Sequence, residues 1–254
     1  DPCPDWPEDC VYVDSVPTIT IAPGGSISIQ DAIINMPING IIILEAGTHS
    51  ITTTLDTLGR AITIRGVADV DGDGKPETTL DGNGQNTVLR CTTGEGSDTV
   101  FQDLVIQNGW STSDGGGMYN VNSSPTLIRC WFIDNMSKFG GGMHNWKSSP
   151  TLTTCTFENN TAFSNEGSGG GMYNIESDAT LTNCIFENNN SASEGGGMFN
   201  QCWNATSDLT LDGCTFTNNS ASLNGGGMLS GSGYSVTLTD CIFTGNSVND
   251  GDGG

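Results

Sequence analysis

A unit that opens on three glycines and a methionine is written five times between Gly115 and Asn246, and this repetition limits what the chain can fold into. The methionines are Met118, Met143, Met172, Met198 and Met228, at intervals of 25, 29, 26 and 30 residues. Each unit closes on Cys-x-Phe-x-x-Asn: Cys130/Phe132/Asn135, Cys155/Phe157/Asn160, Cys184/Phe186/Asn189, Cys214/Phe216/Asn219 and Cys241/Phe243/Asn246. A fixed motif on an elastic period in the twenties is the mark of a solenoid.

The content of the unit selects the kind of solenoid. Segments such as Pro150-Thr151-Leu152-Thr153 and Cys155-Thr156-Phe157 are short, β-branched or aromatic, and alternate apolar with polar. That is strand chemistry, and no helical apolar period runs through a unit. Gly, Asn, Ser and Asp, which turn a chain, lie between the segments. Two or three short strands per coil predict an all-β fold, a right-handed single-stranded parallel β-helix. Equivalent residues then stack at about 4.8 Å. The Met, Leu, Cys and Phe columns stay apolar and are predicted to face inward. The Asn column is predicted to line an inner corner and to bond turn backbone. The glycines supply corners and close coil-to-coil approach, and they lack the strand-to-helix setting of a phosphate-binding loop.

Five of the nine cysteines occupy the repeat column, where parallel side chains on adjacent coils suit disulfide geometry poorly. Buried free thiols are expected there. No Cys-x-x-Cys or Cys/His spacing points to zinc. Of the others (Cys3, Cys10, Cys91, Cys202), Cys3 and Cys10 are candidates for a staple in the Pro-rich lead-in of an exported chain.

The 254 residues suffice for one elongated domain. Residues 1–17 read as an irregular lead-in. The solenoid is predicted over 18–246: an N-terminal cap at 18–40, irregular coils at 41–109 and five glycine-rich coils at 110–246. Within the cap, Thr18 to Ala22 reads as a strand, and Ser26 to Asn35 as a short helix that buries Ile29, Ala32 and Ile33 against the open end. Further strands are expected at Ile41 to Leu44, Ala61 to Ile64, Thr78 to Leu80, Thr87 to Leu89 and Val100 to Ile106. Phe101-x-x-Leu104-x-Ile106 matches the later Leu-x-x-Cys-x-Phe, so stacking is expected to begin before the glycine repeats. Residues 247–254 read as a polar tail. Because no closing helix follows Asn246, the expectation is that the chain continues or that this end stacks on a partner.

Ser28-Ile29-Gln30-Asp31-Ala32-Ile33, Ala61-Ile62-Thr63-Ile64-Arg65-Gly66 and Leu80-Asp81-Gly82-Asn83-Gly84 resemble the opening of pectate-lyase-like β-helix proteins. The later Gly-Gly-x-Met/Tyr and Phe-x-x-Asn units resemble the repeats of the polymorphic outer-membrane protein family. The resemblance implies a secreted or cell-surface β-helix with an adhesive role. That family's C-terminal membrane barrel has no counterpart in these residues, which leaves an autotransporter route without support.

Composition narrows the function. Seven Lys plus Arg against 29 Asp plus Glu give a net charge of −22, which repels nucleic acid and anionic membrane. An acidic, Gly- and Asn-rich surface suits a saline or calcium-containing exterior. No apolar run is long enough to span a bilayer as a helix. Polysaccharide lyases and polygalacturonases share this kind of fold and use carboxylate clusters beside an Arg or Lys, or an Arg-x-Lys motif. No Arg-x-Lys occurs here. His49 and His144 lie in different settings, and His144 stands where other copies carry Tyr, Phe or Leu, which reads as surface filler. The reading leans away from an enzyme and assigns no catalytic residue. An enzyme would require three or more carboxylates converging beside an arginine in one groove.

The candidate metal site is Asp69-Val70-Asp71-Gly72-Asp73-Gly74-Lys75-Pro76-Glu77. Alternating Asp side chains, a Gly at the sixth position and an acid at the ninth reproduce the first part of a calcium loop, with Asp81 as a late substitute at its end. The competing reading is an acidic turn between strands, since Asp-Gly is itself turn chemistry. Thr126, Thr151, Thr180, Thr210 and Thr237 form an outward column, and Thr153, Thr182 and Thr239 extend it into Thr-x-Thr rows that Ile128 and Asp212 interrupt. Tyr119, Trp146, Tyr173, Phe199 and Trp203 follow the Met column. They form either a surface stripe for sugar or protein or a self-packing aromatic ladder. The predicted function is an extracellular or cell-surface structural or adhesive module that presents repeated side chains to a polysaccharide or other cell-surface ligand. A second copy is the other expected partner, with a fibre as one product. The alternative is a carbohydrate-binding or polysaccharide-degrading β-helix, and a lesser one is an ice-binding protein.

Overall fold

The computed structural model describes residues 16–203 and 206–249; the proposed Cys3–Cys10 staple lies outside them. From Met118 onward each coil runs through four strand positions, beginning with Met118–Val121, Thr126–Ile128, Trp131–Ile133 and Met136–Ser137. The chain then rises one step and repeats them, so every pairing is parallel and joins a strand to its equivalent in the next coil. Four sheets of nine, eight, seven and five strands result, here termed the threonine, phenylalanine, methionine and narrow faces. Nine strands at about 4.8 Å make the threonine face roughly 40 Å long.

The predicted columns stack in register. Phe132, Phe157, Phe186, Phe216 and Phe243 are consecutive partners, their rings 4.6–4.7 Å apart and tilted by no more than 4°. Phe101 pairs with Leu127 and Ile106 with Phe132, so the irregular coils share the core. Cys91, Cys130, Cys155, Cys184, Cys214 and Cys241 are free thiols, all but Cys241 buried. Along the repeat column each sulfhydryl donates to a carbonyl of the preceding coil at 3.5–3.8 Å. Burial pushes the Cys91 and Cys155 thiols well above their ordinary range, which keeps them neutral and unreactive.

Two asparagine ladders run through the interior. In the predicted one, Asn135 Nδ2 donates to Asn160 Oδ1 at 3.0 Å and to Ile106 O at 2.9 Å, and Asn135 N donates to the same Asn160 oxygen at 3.1 Å. Asn160, Asn189 and Asn219 repeat the pattern. A second ladder joins Asn120, Asn145, Asn174 and Asn200 by amide bonds of 2.7–2.8 Å. Each link stabilises by about 1 kcal/mol net, and an orphaned buried amide costs more than that.

The first two glycines of a unit serve different purposes. Gly140 takes φ +64, where a Cβ is strained. At Gly141 a Cβ would lie 2.5 Å from the Gly170 carbonyl oxygen and 2.6 Å from that of Thr161, so only hydrogen lets the coils close.

The predicted helix forms as Ile29–Asn35, shorter at its start than expected because Ser28 caps it, its side chain accepting from Asp31 N. Ile29, Ala32 and Ile33 are buried, as predicted. Ile41–Leu44 forms with the expected ends and the other early strands with shifted ones; the stretch Val100 to Ile106 splits into Val100–Gln102 and Val105–Gln107 on two faces, and Gly47–Ser50 and Leu55–Asp56 are added. The residues read as a polar tail begin with a strand, Ser247–Val248, paired to Ser220–Ala221. In the last coil the core columns open to solvent, Phe243 being 42% exposed.

Candidate functional site

The Asp69–Glu77 segment forms the predicted acidic loop, but the five candidate ligands separate into two groups. Carboxylate oxygens of Asp69, Asp71 and Glu77 lie within 4.8 Å of one another. Asp73 shapes the turn instead, its Oδ1 accepting from Lys75 N at 2.8 Å. Asp81 is removed from the cluster because it is fully engaged, accepting from Asn83 N and from the Gln107 and Asn108 amides. Asp69 already accepts from Gly72 N at 2.7 Å and Gly74 N at 3.0 Å, which holds the loop in a ring. Three carboxylates fit a hard cation; the remainder of a calcium shell, six to eight oxygens, would have to come from backbone and water.

The five aromatic candidates do not form one exposed stripe. Tyr119, His144, Tyr173 and Phe199 share an outward column of the methionine face. That column is roofed: Phe139 stacks at 5.2 Å on Tyr173, which stacks at 5.2 Å on Phe199. Tyr173 and Phe199 are therefore buried and pack on themselves, the ladder arrangement. Trp146 belongs to a different column, beside Val121 and Ile175, and Trp203 lies outside the strands; both are exposed.

His144 is not surface filler; it is 3% exposed beneath the rings of Tyr119, Phe139 and Tyr173. Its Nδ1 comes within 2.8 Å of Asp114 Oδ1. Burial works to raise the Asp114 carboxyl, but His144, the Ser113 hydroxyl and the Lys138 charge outweigh it and hold the group below its ordinary range. Asp114 and Tyr119 border a small pocket of about 160 Å³ with Arg90. The Arg90 charge is engaged by Asp56 Oδ2 through bonds of 2.6 and 2.9 Å. His49 is likewise buried, its Nε2 3.0 Å from Glu45 O. The imidazole of His144 is thus sealed under aromatic rings, whereas the Arg90 side chain is half exposed and paired with Asp56.

A larger groove of about 450 Å³ opens where the phenylalanine face turns into the narrow face, lined by Asp81, Asn83, Asn108, Trp110, Asp134 and Met136 among others. Sequence reasoning passed over it because Trp110 precedes the first glycine triplet and the later coils carry Met136, Thr161, Asn190 and Ser220 at its position, with no aromatic ring. Its one forewarning was an isolated Trp beside a corner Asn. The threonine face is as expected: Thr126, Thr151, Thr180, Thr210 and Thr237 stand in one row.

These features define a right-handed parallel β-helix solenoid. Residues 139–253 match the family model described as a right handed beta helix region. No curated protein matches the chain. Among solved structures, the chain is similar to a pectate lyase, Pel9A, at 13% identity and a TM-score of 0.47, over 94% of this chain and 79% of that one. It is also similar to a mannuronic acid specific polysaccharide family 6 lyase from human gut microbiota, at 9% identity and a TM-score of 0.41, over 89% and 62%. No helix among the described residues is long and apolar enough to cross a membrane.

Proposed function

We propose that this chain is a non-catalytic adhesive module, secreted or displayed at a cell surface, that holds an extracellular polysaccharide. The supporting observation is the threonine face, which presents Thr151, Thr180, Thr210 and Thr237 outward, one per coil, along a sheet of nine strands. Like groups repeated at a fixed interval suit a ligand that is itself repetitive, because each further contact is made at high effective concentration. Asp56 pairs with Arg90, and Asp114 lines the same small pocket.

The Asp69, Asp71 and Glu77 loop is proposed as a weak calcium site suited to such an exterior. Self-association is proposed to use the last coil, where Leu238, Ile242 and Phe243 are exposed. The opposite end is covered by the capping helix, so a second copy meets the last coil more readily than a fibre grows.

The test pairs retention of the purified protein on insoluble cell-wall polysaccharide with assays for new reducing ends and unsaturated products. Retention without product supports the reading; released product overturns it in favour of an enzyme. The Thr-x-Thr rows keep ice binding as a second reading. Faceted shaping of ice crystals in dilute protein would establish it, and round crystals would dismiss it.

A further inference from the structure

We infer that the groove at Trp110 is a binding subsite for an uncharged hexopyranose of a polysaccharide. This inference rests on the adhesive reading above and supplies its ligand class. The indole is 38% exposed, although it is large and apolar enough to be buried elsewhere in this core. Phe163 stacks beside it at 6.5 Å with the ring planes 7° apart, and the exposed Met136 lies in register with it on the next coil. The indole is thus braced as a flat platform, with few rotamers left to lose on binding.

The polar rim complements that platform. The Asp81 carboxylate accepts from Asn83 N, Gln107 Nε2 and Asn108 Nδ2, which fixes the Asn108 side chain; the Asn83 side chain is held by Ser50 Oγ and the Asp81 carbonyl. Both Asn83 and Asn108 spend their amide NH₂ groups on protein acceptors. Their Oδ1 atoms and the Asp134 carboxylate have no partner among the described residues. The groove therefore offers an apolar plate edged by acceptors. A pyranose has the matching form, an apolar C–H face to lie on the indole and a rim of hydroxyl donors. The volume of about 450 Å³ falls in the range of small-ligand sites. No lysine or arginine lines the groove, and the chain carries −22, so a uronate is repelled. Exposed corner residues Asn159, Asn188 and Asn218 continue the line of Asn108 and Asp134 along the rod, which favours a polymer over a free sugar.

The test is native gel electrophoresis of the full chain through gels containing hydroxyethylcellulose, galactomannan, laminarin, glycol chitosan or polygalacturonate. Retardation by at least one of the three neutral polymers is expected, with none by polygalacturonate. Trp110→Ala should weaken that retardation at least tenfold while leaving the far-UV circular dichroism and the melting temperature unchanged. Asp134→Asn should weaken it less. Retardation by glycol chitosan alone overturns the inference in favour of simple charge attraction. If the chain is retained on a neutral polymer equally with Trp110→Ala, the groove assignment fails and the adhesive reading survives. If no polymer retards the chain, and insoluble cell wall does not retain it, both fail.

Discussion

Gln30 closes the bare edge of the methionine face by taking the place of a missing strand opposite Asp56. Its Oε1 accepts from Asp56 N at 2.9 Å and its Nε2 donates to Asp56 O at 3.0 Å, the pair of bonds a neighbouring strand would make. Leu55–Asp56 is the terminal strand of that sheet, and an unpaired edge invites foreign pairing. The capping helix thus covers the apolar end with Ile29 and Ile33 and the polar edge with Gln30. Gln30→Leu keeps the volume and removes both bonds, so a loss of about 1–3 kcal/mol is expected. Hydrogen exchange is the sharper measurement. The Asp56 amide should exchange faster in the variant while the Phe186 amide, in the middle of the rod, does not; equal rates at Asp56 would refute the edge-closing role.

Glu95 connects several coils through its buried carboxylate. Oε1 accepts from the Thr57 hydroxyl and Gly59 N at 2.7 Å, and Oε2 from Thr93 N and the Ser123 hydroxyl at 2.8 Å. Burial works to raise its pKa, but the four donors prevail and hold it below the ordinary glutamate value. A depressed folded pKa means stability that is present above the unfolded value, about 4.3, and is lost as pH falls through the folded value. Glu95→Gln presents an NH₂ to two of the donors and should cost at least about 2 kcal/mol at pH 7. In urea unfolding at stepped pH, the gap between the two proteins should narrow below about pH 4.3. A gap that stays constant to low pH would show that the charge is not what the donors hold.

Neighbouring glycines allow a comparison of close approach with conformational freedom. A Cβ on Gly170 would run into the carbonyl oxygens of Gly196 and Asn190, backbone atoms of the neighbouring coil that cannot yield. Gly84 has φ +67 but open space around it, so alanine there meets only backbone strain. Gly84→Ala should therefore cost about 1 kcal/mol. Gly170→Ala must pry two coils apart and should cost several times as much, or leave the chain insoluble. Comparable melting temperatures for the two variants would mean that the coils are less tightly apposed than the stack requires.

The repeat columns were legible because identical residue types recur at one depth in the stack: Phe157 and Phe186 had to be adjacent if the period meant a solenoid at all. Asn160 could be read for the same reason. Asn145 could not, although Met-x-Asn occurs in four of five units. Two residues after an inward methionine a side chain points inward, and an asparagine there contradicts the apolar pattern unless its partners are known. Those partners are its own copies one coil away. His144 was misread because a variable position looks exposed, whereas Phe139 from the preceding loop roofs it. Glu95 was invisible in sequence because its donors lie as far apart as Thr57 and Ser123. Periodicity reports what repeats; these contacts are made once.

The acidic loop permits a final discrimination. Asp69, Asp71 and Glu77 converge, whereas Asp73 serves the turn and Asp81 serves the groove. Three like charges held within 4.8 Å repel one another, so a cation that bridges them should stabilise the fold. Millimolar calcium is expected to raise the melting temperature of the wild-type chain, and a chelator to reverse the rise. Asp71→Asn removes a converging charge and should abolish most of the calcium response. Asp73→Asn should retain it, because an asparagine oxygen can still accept from Lys75 N. Magnesium, which demands a tighter octahedral shell, should act more weakly. A calcium response that Asp73→Asn loses and Asp71→Asn keeps would place the ion elsewhere on the loop. The absence of any response in the wild type would leave these carboxylates as a hydrogen-bonded turn, in which Asp69 holds Gly72 and Gly74 and nothing more.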